Sequence, residues 1–332
     1  MKKVLSLFLG AALCAAALSG CSSSKSDLQT VRLCEVTHSI FYAPQYAAME
    51  LGYFEEEGIE IELSNGGGAD KVMSAVLSDS MDIGLAGPEA CIYVYNEGKE
   101  DYPQVFAQLT KRDGSMLVGR TEQPDFTWQS LKGSHILPGR KGGVPYMAFE
   151  YALKENGLDP AADLLLDTSV QFDNMTGAFL GGTADYVTVF EPAASSIQAE
   201  GKGYIVAAVG DAVGDLPYTA YFAKSSYMEE NPELIQGFAN AVAKGEAWVK
   251  SHSAEEVAKL VAPHFADTDL EFLTTAVENY QKVGAYCQTP VMSEESFDRL
   301  QTVMESAGEL SQRAAFDAVV NNTFAEKAVS SH

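Results

Sequence analysis

Hydrophobic and polar positions follow two alternating periods in the first third of the chain. Residues 59–63 alternate strictly, which predicts a strand with one face in water. Apolar side chains within residues 69–77 recur at helical spacing and predict an amphipathic helix. Further strands are predicted over residues 31–36 and 82–86. This β-α-β-α order predicts a sheet with parallel strands and helices on both faces.

A second block repeats this rhythm in the middle of the chain. A helix is predicted over residues 144–156, and from residue 232 to about residue 328 the pattern is almost entirely helical. The strands of this part are predicted over residues 134–137, 164–167, 185–190, 204–209 and 219–223. The sequence therefore predicts an α/β protein with two blocks and a helical C-terminal region.

The order of the elements also predicts how the blocks are connected. The chain is expected to cross between them near residues 110–118 and again near residues 214–222. Two crossings make the first lobe discontinuous. We expect lobe 1 to contain residues 31–115 and 217–330, and lobe 2 to contain residues 116–216.

The N-terminal segment is typical of an export signal rather than of a folded domain. Two lysines precede an apolar run over residues 4–17, which is too short for a typical membrane-spanning helix. The run ends in Leu-Ser-Gly-Cys, which resembles a bacterial lipobox. That resemblance implies a signal peptide over residues 1–20, acylation of Cys21 and a flexible tether over residues 21–30. The alternative is plain secretion with an incidental cysteine.

Charge and cysteine content exclude several classes of protein. The 332 residues carry 22 Lys and Arg against 46 Asp and Glu, a net charge of −24, which argues against binding nucleic acid. Cys34, Cys91 and Cys287 have no spacing typical of a disulfide framework, so we expect core cysteines, although one pair could bridge. No spacing typical of a zinc site or of a catalytic nucleophile occurs, so neither a metal site nor an enzyme is expected.

Candidate ligand contacts follow the first predicted strand, where ligands of open α/β sheets gather. Aromatic rings can stack on a flat ligand while polar groups orient it. The alternative is that the two rings only cap the core. The candidates here are His38, Ser39, Phe41, Tyr42 and Gln45.

Two glycine-rich turns each lie just before a predicted helix. Glycines let backbone N–H groups approach a ligand, and a helix N-terminus favours an anion. The second turn adds two cations, Arg140 and Lys141, that could bind a carboxylate, sulfonate or phosphate. The alternatives are a simple tight turn and a solvated loop. The candidates are Gly66, Gly67 and Gly68 in the first turn, and Arg140, Gly142, Gly143 and Val144 in the second.

Two glutamates begin predicted helices on the same side of the sheets. Glu89, preceded by Pro88, and Glu191 could each accept a hydrogen bond from an amino group, as in an aminopyrimidine. The alternative is that the helix dipole alone favours a carboxylate there. Tyr218 is a further candidate, because its ring could stack on a ligand.

Several runs together resemble periplasmic-type binding proteins for nitrate, sulfonates, taurine and thiamine-pyrimidine precursors. Their order and spacing match the family from about residue 35 to residue 250. The runs are FYAPQYAAMELGYFEEEGIEIEL, VMSAVLSDSMDIGLAGPEA, FTWQSLKGSHI, ADYVTVFEPAAS and YMEENPELIQGFANAVAKGEAWV.

This resemblance implies a two-lobed binding-protein fold of type II that captures a small molecule between its lobes. It also implies delivery of that ligand to an ABC permease and its ATPase, by a monomer that needs no cofactor and meets the membrane only through its N-terminal lipid. The expected ligand is a pyrimidine or a small sulfonate or other anion. Two alternatives are a lipoprotein that senses a ligand for a receptor and a thiamine-pyrimidine-synthesising enzyme of the same fold.

Overall fold

The computed structural model describes residues 28–330. The predicted signal peptide over residues 1–20, Cys21 and the tether up to residue 27 lie outside the described residues. The tether was predicted to extend to residue 30, but residues 29 and 30 belong to the first strand, Gln29–Glu35, because they pair with the neighbouring strand. Within them, no helix combines the length and the apolar character needed to cross a membrane.

Ten strands form two separate five-stranded sheets. The first sheet contains β1 (Gln29–Glu35), β2 (Ile59–Asn65), β3 (Ile83–Ala86), β4 (Pro103–Thr110) and β10 (Thr219–Lys224). The second sheet contains β5 (Met116–Gly119), β6 (His135–Leu137), β7 (Leu165–Leu166), β8 (Tyr186–Val189) and β9 (Tyr204–Ala208). The spatial orders are β2-β1-β3-β10-β4 and β7-β6-β8-β5-β9.

Helices cover both sheets and make up most of the C-terminal third. In the first two thirds they are α1 (Ala43–Glu50), α2 (Tyr53–Glu56), α3 (Ala69–Leu77), α4 (Glu89–Asn96), α5 (Val144–Glu155), α6 (Met175–Leu180), α7 (Ala193–Ala199), α8 (Val209–Val213) and α9 (Ser225–Glu230). They continue as α10 (Pro232–Ser251), α11 (Ala254–Val261), α12 (Leu270–Val283), α13 (Glu294–Ser306), α14 (Phe316–Val319) and α15 (Thr323–Ser330). Short 3-10 turns occupy Ile40–Tyr42, Trp128–Leu131, Phe172–Asn174 and Ala262–Phe265.

The first sheet is mixed, and its strand directions decide which residues reach the site. β1 runs parallel to β2 and β3, so Leu33 pairs with both Leu63 and Ile83. β10 instead runs antiparallel to β3 and β4. The carboxyl ends of β1 and β3 and the amino end of β10 therefore lie at the same edge of the sheet.

The predicted α/β class, the two blocks and the helical C-terminal region are confirmed. The pattern missed β4 and β5, because both are buried almost throughout and do not alternate. The chain leaves the first sheet after Thr110 and returns to it at Thr219. The proposed lobe boundaries at residues 115 and 217 stay predictions.

The C-terminal helices pack against the first half and also contact the second. Helix α10 lies against α1 so tightly that a Cβ at Gly245 would stand 2.2 Å from the Pro44 carbonyl oxygen. Tyr280 in α12 accepts a hydrogen bond from the backbone N–H of Glu191, at 2.8 Å. Cys34, Cys91 and Cys287 are buried, as expected, and none forms a disulfide.

Candidate functional site

A cleft lies between the edges of the two sheets, and it has two chambers. The inner chamber, of about 80 Å³, is lined by Val36, Thr37, Tyr42, Gly68, Ala69, Gly87, Glu89, Gly139, Arg140, Gly143, Val144, Pro145, Phe172, Phe190, Tyr218 and Thr219. The outer chamber, of about 230 Å³, is lined by Thr37, His38, Ser39, Phe172, Asp173, Met175, Thr176, Thr188, Val189, Phe190, Glu191, Pro192 and Ala193. Thr37, Phe172 and Phe190 border both chambers.

Aromatic rings form much of the inner chamber wall. The Phe190 ring lies 5.7 Å from the Phe172 ring and 6.0 Å from the Tyr218 ring, between centroids. Behind them, Phe41 packs 5.5 Å from Phe190 and 5.6 Å from Tyr218. Such rings offer flat apolar faces to a ligand, so the chamber suits a planar molecule.

Glu89 is the acidic group of the inner chamber. It opens α4, is only 2% exposed, and its Oε2 has no hydrogen-bond partner within residues 28–330. The carboxyl group turns back over Gly87, where a Cβ would stand 2.0 Å from Oε2. Burial raises the pKa of Glu89 to about 7, although nearby backbone N–H groups, Val144 among them, and Arg140 favour the ionised form.

Glu191 lies in the outer chamber wall, and its carboxylate already has partners. It accepts hydrogen bonds from the Ser195 N–H at 2.9 Å, the Ser195 hydroxyl at 2.8 Å and the Asn279 side chain at 2.6 Å. Its carbonyl oxygen accepts the Ser39 hydroxyl at 2.6 Å. Glu191 and Ser39 therefore join the edge of the first sheet to the edge of the second.

Two further buried groups lie behind the inner chamber. Asp113 is 1% exposed, and its Oδ1 accepts the backbone N–H of Ser115 at 2.6 Å. Burial raises the pKa of Asp113 to about 7. The Tyr218 hydroxyl lies near this carboxyl group, but within residues 28–330 neither it nor Asp113 Oδ2 has a hydrogen-bond partner. Burial raises the pKa of Tyr218 well above its usual value. The Tyr218 ring can thus line the chamber while its hydroxyl points into the protein.

The structure brings ten of the predicted contacts to the cleft. Seven line the inner chamber, namely Tyr42, Gly68, Glu89, Arg140, Gly143, Val144 and Tyr218. Three line the outer chamber, namely His38, Ser39 and Glu191. Six line neither chamber, namely Phe41, Gln45, Gly66, Gly67, Pro88 and Gly142.

The polar residues after β1 form a network around Glu35. Its carboxylate accepts hydrogen bonds from His38 Nδ1 at 2.7 Å, Gln45 Nε2 at 2.9 Å and the Tyr46 hydroxyl at 2.8 Å. The bond to Glu35 raises the pKa of His38. Gln45 also accepts the Tyr221 hydroxyl at 2.9 Å, so its amide is bonded within the core.

The glycine turns bring the two halves close together. Gly67 has φ +67°, and a Cβ there would stand 2.8 Å from Asp173 Oδ2 in the second half. Gly142 has φ +79°, and its carbonyl oxygen accepts the Tyr93 hydroxyl at 3.0 Å. The cation at the chamber mouth has an acidic neighbour, because Arg140 Nε lies 3.8 Å from Asp70 Oδ1.

Sequence reasoning missed other contacts of the inner chamber. Four of them are neighbours of predicted residues, namely Thr37, Gly87, Gly139 and Pro145. The expectation that ligands bind at the carboxyl ends of strands located these segments but did not identify these residues. Thr219 reaches the chamber because β10 is antiparallel and begins at this edge, and a rule based on carboxyl ends overlooks such a strand. Within the described chain, no cluster of His, Cys, Asp and Glu suited to a metal ion was found.

Comparisons with known proteins agree with this architecture. The profile of the family described as NMT1/THI5 like matches residues 40–256. A Bacillus subtilis (strain 168) protein named "Putative binding protein YtlA" is 40% identical over 314 residues, covering 95% of this chain and 94% of YtlA.

Two solved structures share the fold at low sequence identity. The alkanesulfonate-binding protein SsuA of Xanthomonas axonopodis pv. citri, bound to MOPS, has a TM-score of 0.72 at 14% identity, covering 89% of this chain and 98% of SsuA. The periplasmic nitrate-binding protein NrtA of Synechocystis PCC 6803 has a TM-score of 0.71 at 15% identity, covering 92% and 89%. These relatives are binding proteins rather than enzymes, and the predicted resemblance is confirmed. The chain belongs to the NMT1/THI5-like family, as a two-lobed solute-binding protein.

Proposed function

We propose that this chain is the ligand-capturing component of an ABC importer, and that its ligand carries an aminopyrimidine-like ring. The observation that carries the proposal is Glu89, a buried carboxyl group with an unpartnered oxygen in a chamber walled by aromatic rings. A buried polar atom without a partner costs about 1–3 kcal/mol, so a ligand that pairs with it gains affinity.

The walls of the inner chamber favour one small planar ring. Its volume of about 80 Å³ is below the ~150 Å³ of a cavity known to hold benzene. A ring therefore enters only when the two halves move apart from this arrangement, in which the Phe190 and Tyr218 rings lie 6.0 Å apart between centroids. A ring between these aromatic faces is the simplest occupant.

An aminopyrimidine edge matches a carboxyl group of raised pKa. The edge presents an amino donor beside a ring nitrogen acceptor, and a protonated carboxyl group presents an O–H donor beside an oxygen acceptor. The two can therefore share one proton through a pair of hydrogen bonds. With a pKa of about 7, Glu89 can supply that proton near neutral pH.

The same geometry disfavours the small sulfonate or other anion that the glycine turns suggested. An anion is favoured at the N-terminus of a helix such as α5. That position is already approached by the Glu89 carboxyl group, whose pKa the Val144 N–H lowers. Arg140 is 45% exposed and lies near Asp70, which weakens its attraction for an anion, and inside the chamber its charge already favours the ionised form of Glu89.

A thermal-shift panel tests this proposal. It would compare 4-amino-5-hydroxymethyl-2-methylpyrimidine with ethanesulfonate, taurine and nitrate on residues 28–332. A ligand at 100 times its Kd stabilises a protein by about 2.7 kcal/mol, which gives a clear shift. We expect the aminopyrimidine alone to shift the wild type, and Glu89→Leu to remove that shift. A shift with a sulfonate and none with the pyrimidine would overturn the proposal.

We further propose that the mature protein is anchored at the extracytoplasmic face of the membrane by lipid on Cys21. A flexible tether would let the binding domain reach a permease while the anchor keeps it nearby. Mass spectrometry of the mature N-terminus should find an acyl mass on Cys21. Cys21→Ala should instead leave the protein in the soluble fraction, and an unmodified Cys21 in the wild type would contradict the anchor.

A further inference from the structure

Two segments connect the two sheets, and they run side by side. The first, residues 111–115, lies between β4 and β5, and the second, residues 214–218, lies between α8 and β10. The Leu216 N–H donates to the Lys111 carbonyl oxygen at 2.8 Å, and Arg112 Nε donates to Asp215 Oδ1 at 2.6 Å. A movement of one half against the other passes through these connecting segments, since hinge motions concentrate in a few such residues.

Each connecting segment carries one buried polar atom without a partner. Asp113, in the first segment, is 1% exposed, and its Oδ1 accepts the Ser115 N–H at 2.6 Å, but its Oδ2 has no hydrogen-bond partner within residues 28–330. Tyr218, in the second segment, is 3% exposed, and its hydroxyl is unpartnered among the same residues. The two groups lie near each other and are complementary, since a tyrosine hydroxyl donates and a carboxylate oxygen accepts.

Other buried tyrosine hydroxyls of the core do have partners. Tyr221 donates to Gln45 Oε1 at 2.9 Å, and Tyr46 donates to Glu35 Oε2 at 2.8 Å. Leaving a buried donor and a buried acceptor unpaired costs free energy, so such groups are rare in folded proteins. The unpaired atoms of Tyr218 and Asp113 therefore indicate that the two groups bond in a different arrangement of the halves.

Asp113 and Tyr218 are attached to different halves of the molecule. Asp113 lies against α8, where Gly210 approaches the Asp113 carbonyl oxygen so closely that a Cβ would not fit, and α8 packs against α5 of the second half. Tyr218 instead precedes β10, and its N–H donates to the Thr110 carbonyl oxygen of β4 at 3.1 Å. A movement between the halves therefore changes the separation of the Tyr218 hydroxyl and the Asp113 carboxyl group.

The binding of a ring requires such a movement, because the inner chamber is too small for it. The chamber volume is about 80 Å³, against ~150 Å³ for a cavity that holds benzene. The Tyr218 ring forms part of the chamber wall and packs 5.6 Å from the Phe41 ring, between centroids. A ring that enters the chamber therefore displaces the wall to which the unpaired hydroxyl belongs.

We propose that Asp113 is a positioning residue of the ligand site. When a ring fills the inner chamber, the Tyr218 hydroxyl donates to Asp113 Oδ2, and this bond holds the Tyr218 ring against the ligand. The bond forms only in the filled site, so it contributes to affinity and not to the stability of the ligand-free protein. The inference rests on the proposed ring site, but not on the pairing of the ligand with Glu89.

The test removes the Tyr218 hydroxyl and keeps its ring. Calorimetry with 4-amino-5-hydroxymethyl-2-methylpyrimidine should show about fivefold weaker binding to Tyr218→Phe than to the wild type, the effect of one net hydrogen bond. The melting temperature of ligand-free Tyr218→Phe should be at least that of the wild type, because no bond is lost. Asp113→Asn keeps an oxygen for Ser115 and replaces the other acceptor by an amino donor. In that background, Tyr218→Phe should weaken binding by less than twofold.

Tyr221→Phe is the matched control, because its hydroxyl lies three residues further along and is already bonded to Gln45. It should lower the melting temperature and change the affinity by less than twofold. If Tyr218→Phe behaves in the same way, its bond exists without ligand, and the inference is overturned while the ring site stands. If Tyr218→Phe weakens binding equally in Asp113→Asn, the hydroxyl acts on another group, and Asp113 has no positioning role. If the pyrimidine does not bind the wild type, both proposals fall.

Discussion

Two buried glutamates at the cleft have similar sequence settings and opposite surroundings. Glu89 opens α4, and Glu191 lies two residues before α7. Glu191 receives three hydrogen bonds from Ser195 and Asn279. Glu89 keeps an unpartnered oxygen, and burial raises its pKa to about 7. The comparison teaches that the partners of a carboxylate, rather than its place at a helix start, decide whether it is available to a ligand.

The origin of this difference is partly local. The fourth residue after Glu191 is Ser195, which donates both its N–H and its hydroxyl to the carboxylate. The fourth residue after Glu89 is Tyr93, whose hydroxyl donates to the Gly142 carbonyl oxygen instead. The sequence thus contained a signal that Glu191 is bonded locally, because a serine at this spacing can reach back to a carboxylate.

The largest effect should come from removing the bonded carboxylate. Glu191→Ala leaves the donors of Ser195 and Asn279 without their acceptor, so we expect a loss of about 4 kcal/mol in the free energy of unfolding. Urea unfolding would measure it. Glu200→Ala, an exposed position just after the same helix, should change stability by less than about 0.5 kcal/mol. A loss below about 1 kcal/mol in Glu191→Ala would show that these bonds do not hold the two halves together.

Replacing Glu89 should increase the free energy of unfolding rather than decrease it. Because its folded pKa is about 7, above the ordinary 4.5, the folded state loses stability as the pH rises from about 4.5 through 7. Glu89→Gln removes this cost and should stabilise the ligand-free protein by about 3 kcal/mol at pH 8. Near pH 4 the gain should vanish, since the carboxyl group is then protonated in both states.

Urea unfolding of Glu89→Gln at pH 4 and pH 8 provides the measurement. Glu97→Gln, at the exposed end of the same helix α4, is the matched control and should show no such pH dependence. Equal stability of Glu89→Gln and wild type at pH 8 would mean that the ionised Glu89 carboxylate does not destabilise the folded state.

The smallest effect is expected at the exposed cation of the cleft. Arg140 lies 3.8 Å from Asp70, and the two side chains are 45% and 59% exposed. Arg140→Ala should change the free energy of unfolding by less than about 0.5 kcal/mol and aminopyrimidine affinity by less than about twofold. Calorimetry would measure the aminopyrimidine affinity of Arg140→Ala, with Asp70→Ala measured for comparison. Loss of binding in Arg140→Ala would instead indicate an anionic ligand.

Periodicity predicted much of the fold. In half-exposed strands and amphipathic helices, the spacing of apolar residues shows which face is buried. The strand over residues 59–63 was found in this way, and the structure gives it as β2. Strands β4 and β5 were missed because both faces are covered, so apolar residues and buried polar ones such as Gln108 follow neither period.

The sequence predicted the segments that form the site more reliably than the individual residues that line it. Tyr42 and Phe41 are adjacent in the sequence, yet Tyr42 lines the inner chamber while Phe41 packs behind it. Gln45 belongs to the Glu35 network, whose partners come from α1 and β10. Such differences depend on contacts between distant segments, and the local pattern does not contain them.

The central claim is that the ligand pairs with the Glu89 carboxyl group. Calorimetric measurement of proton uptake on binding tests it most directly. Binding of 4-amino-5-hydroxymethyl-2-methylpyrimidine would be measured at pH 8 in Tris and in phosphate, whose ionisation enthalpies differ. With a Glu89 pKa of about 7, the ionised wild type should take up about one proton as the shared pair forms. Glu89→Gln, whose amide offers the same donor and acceptor without titrating, should bind with no proton uptake. Binding to the wild type without proton uptake, or with the same uptake in Glu89→Gln, would contradict the account.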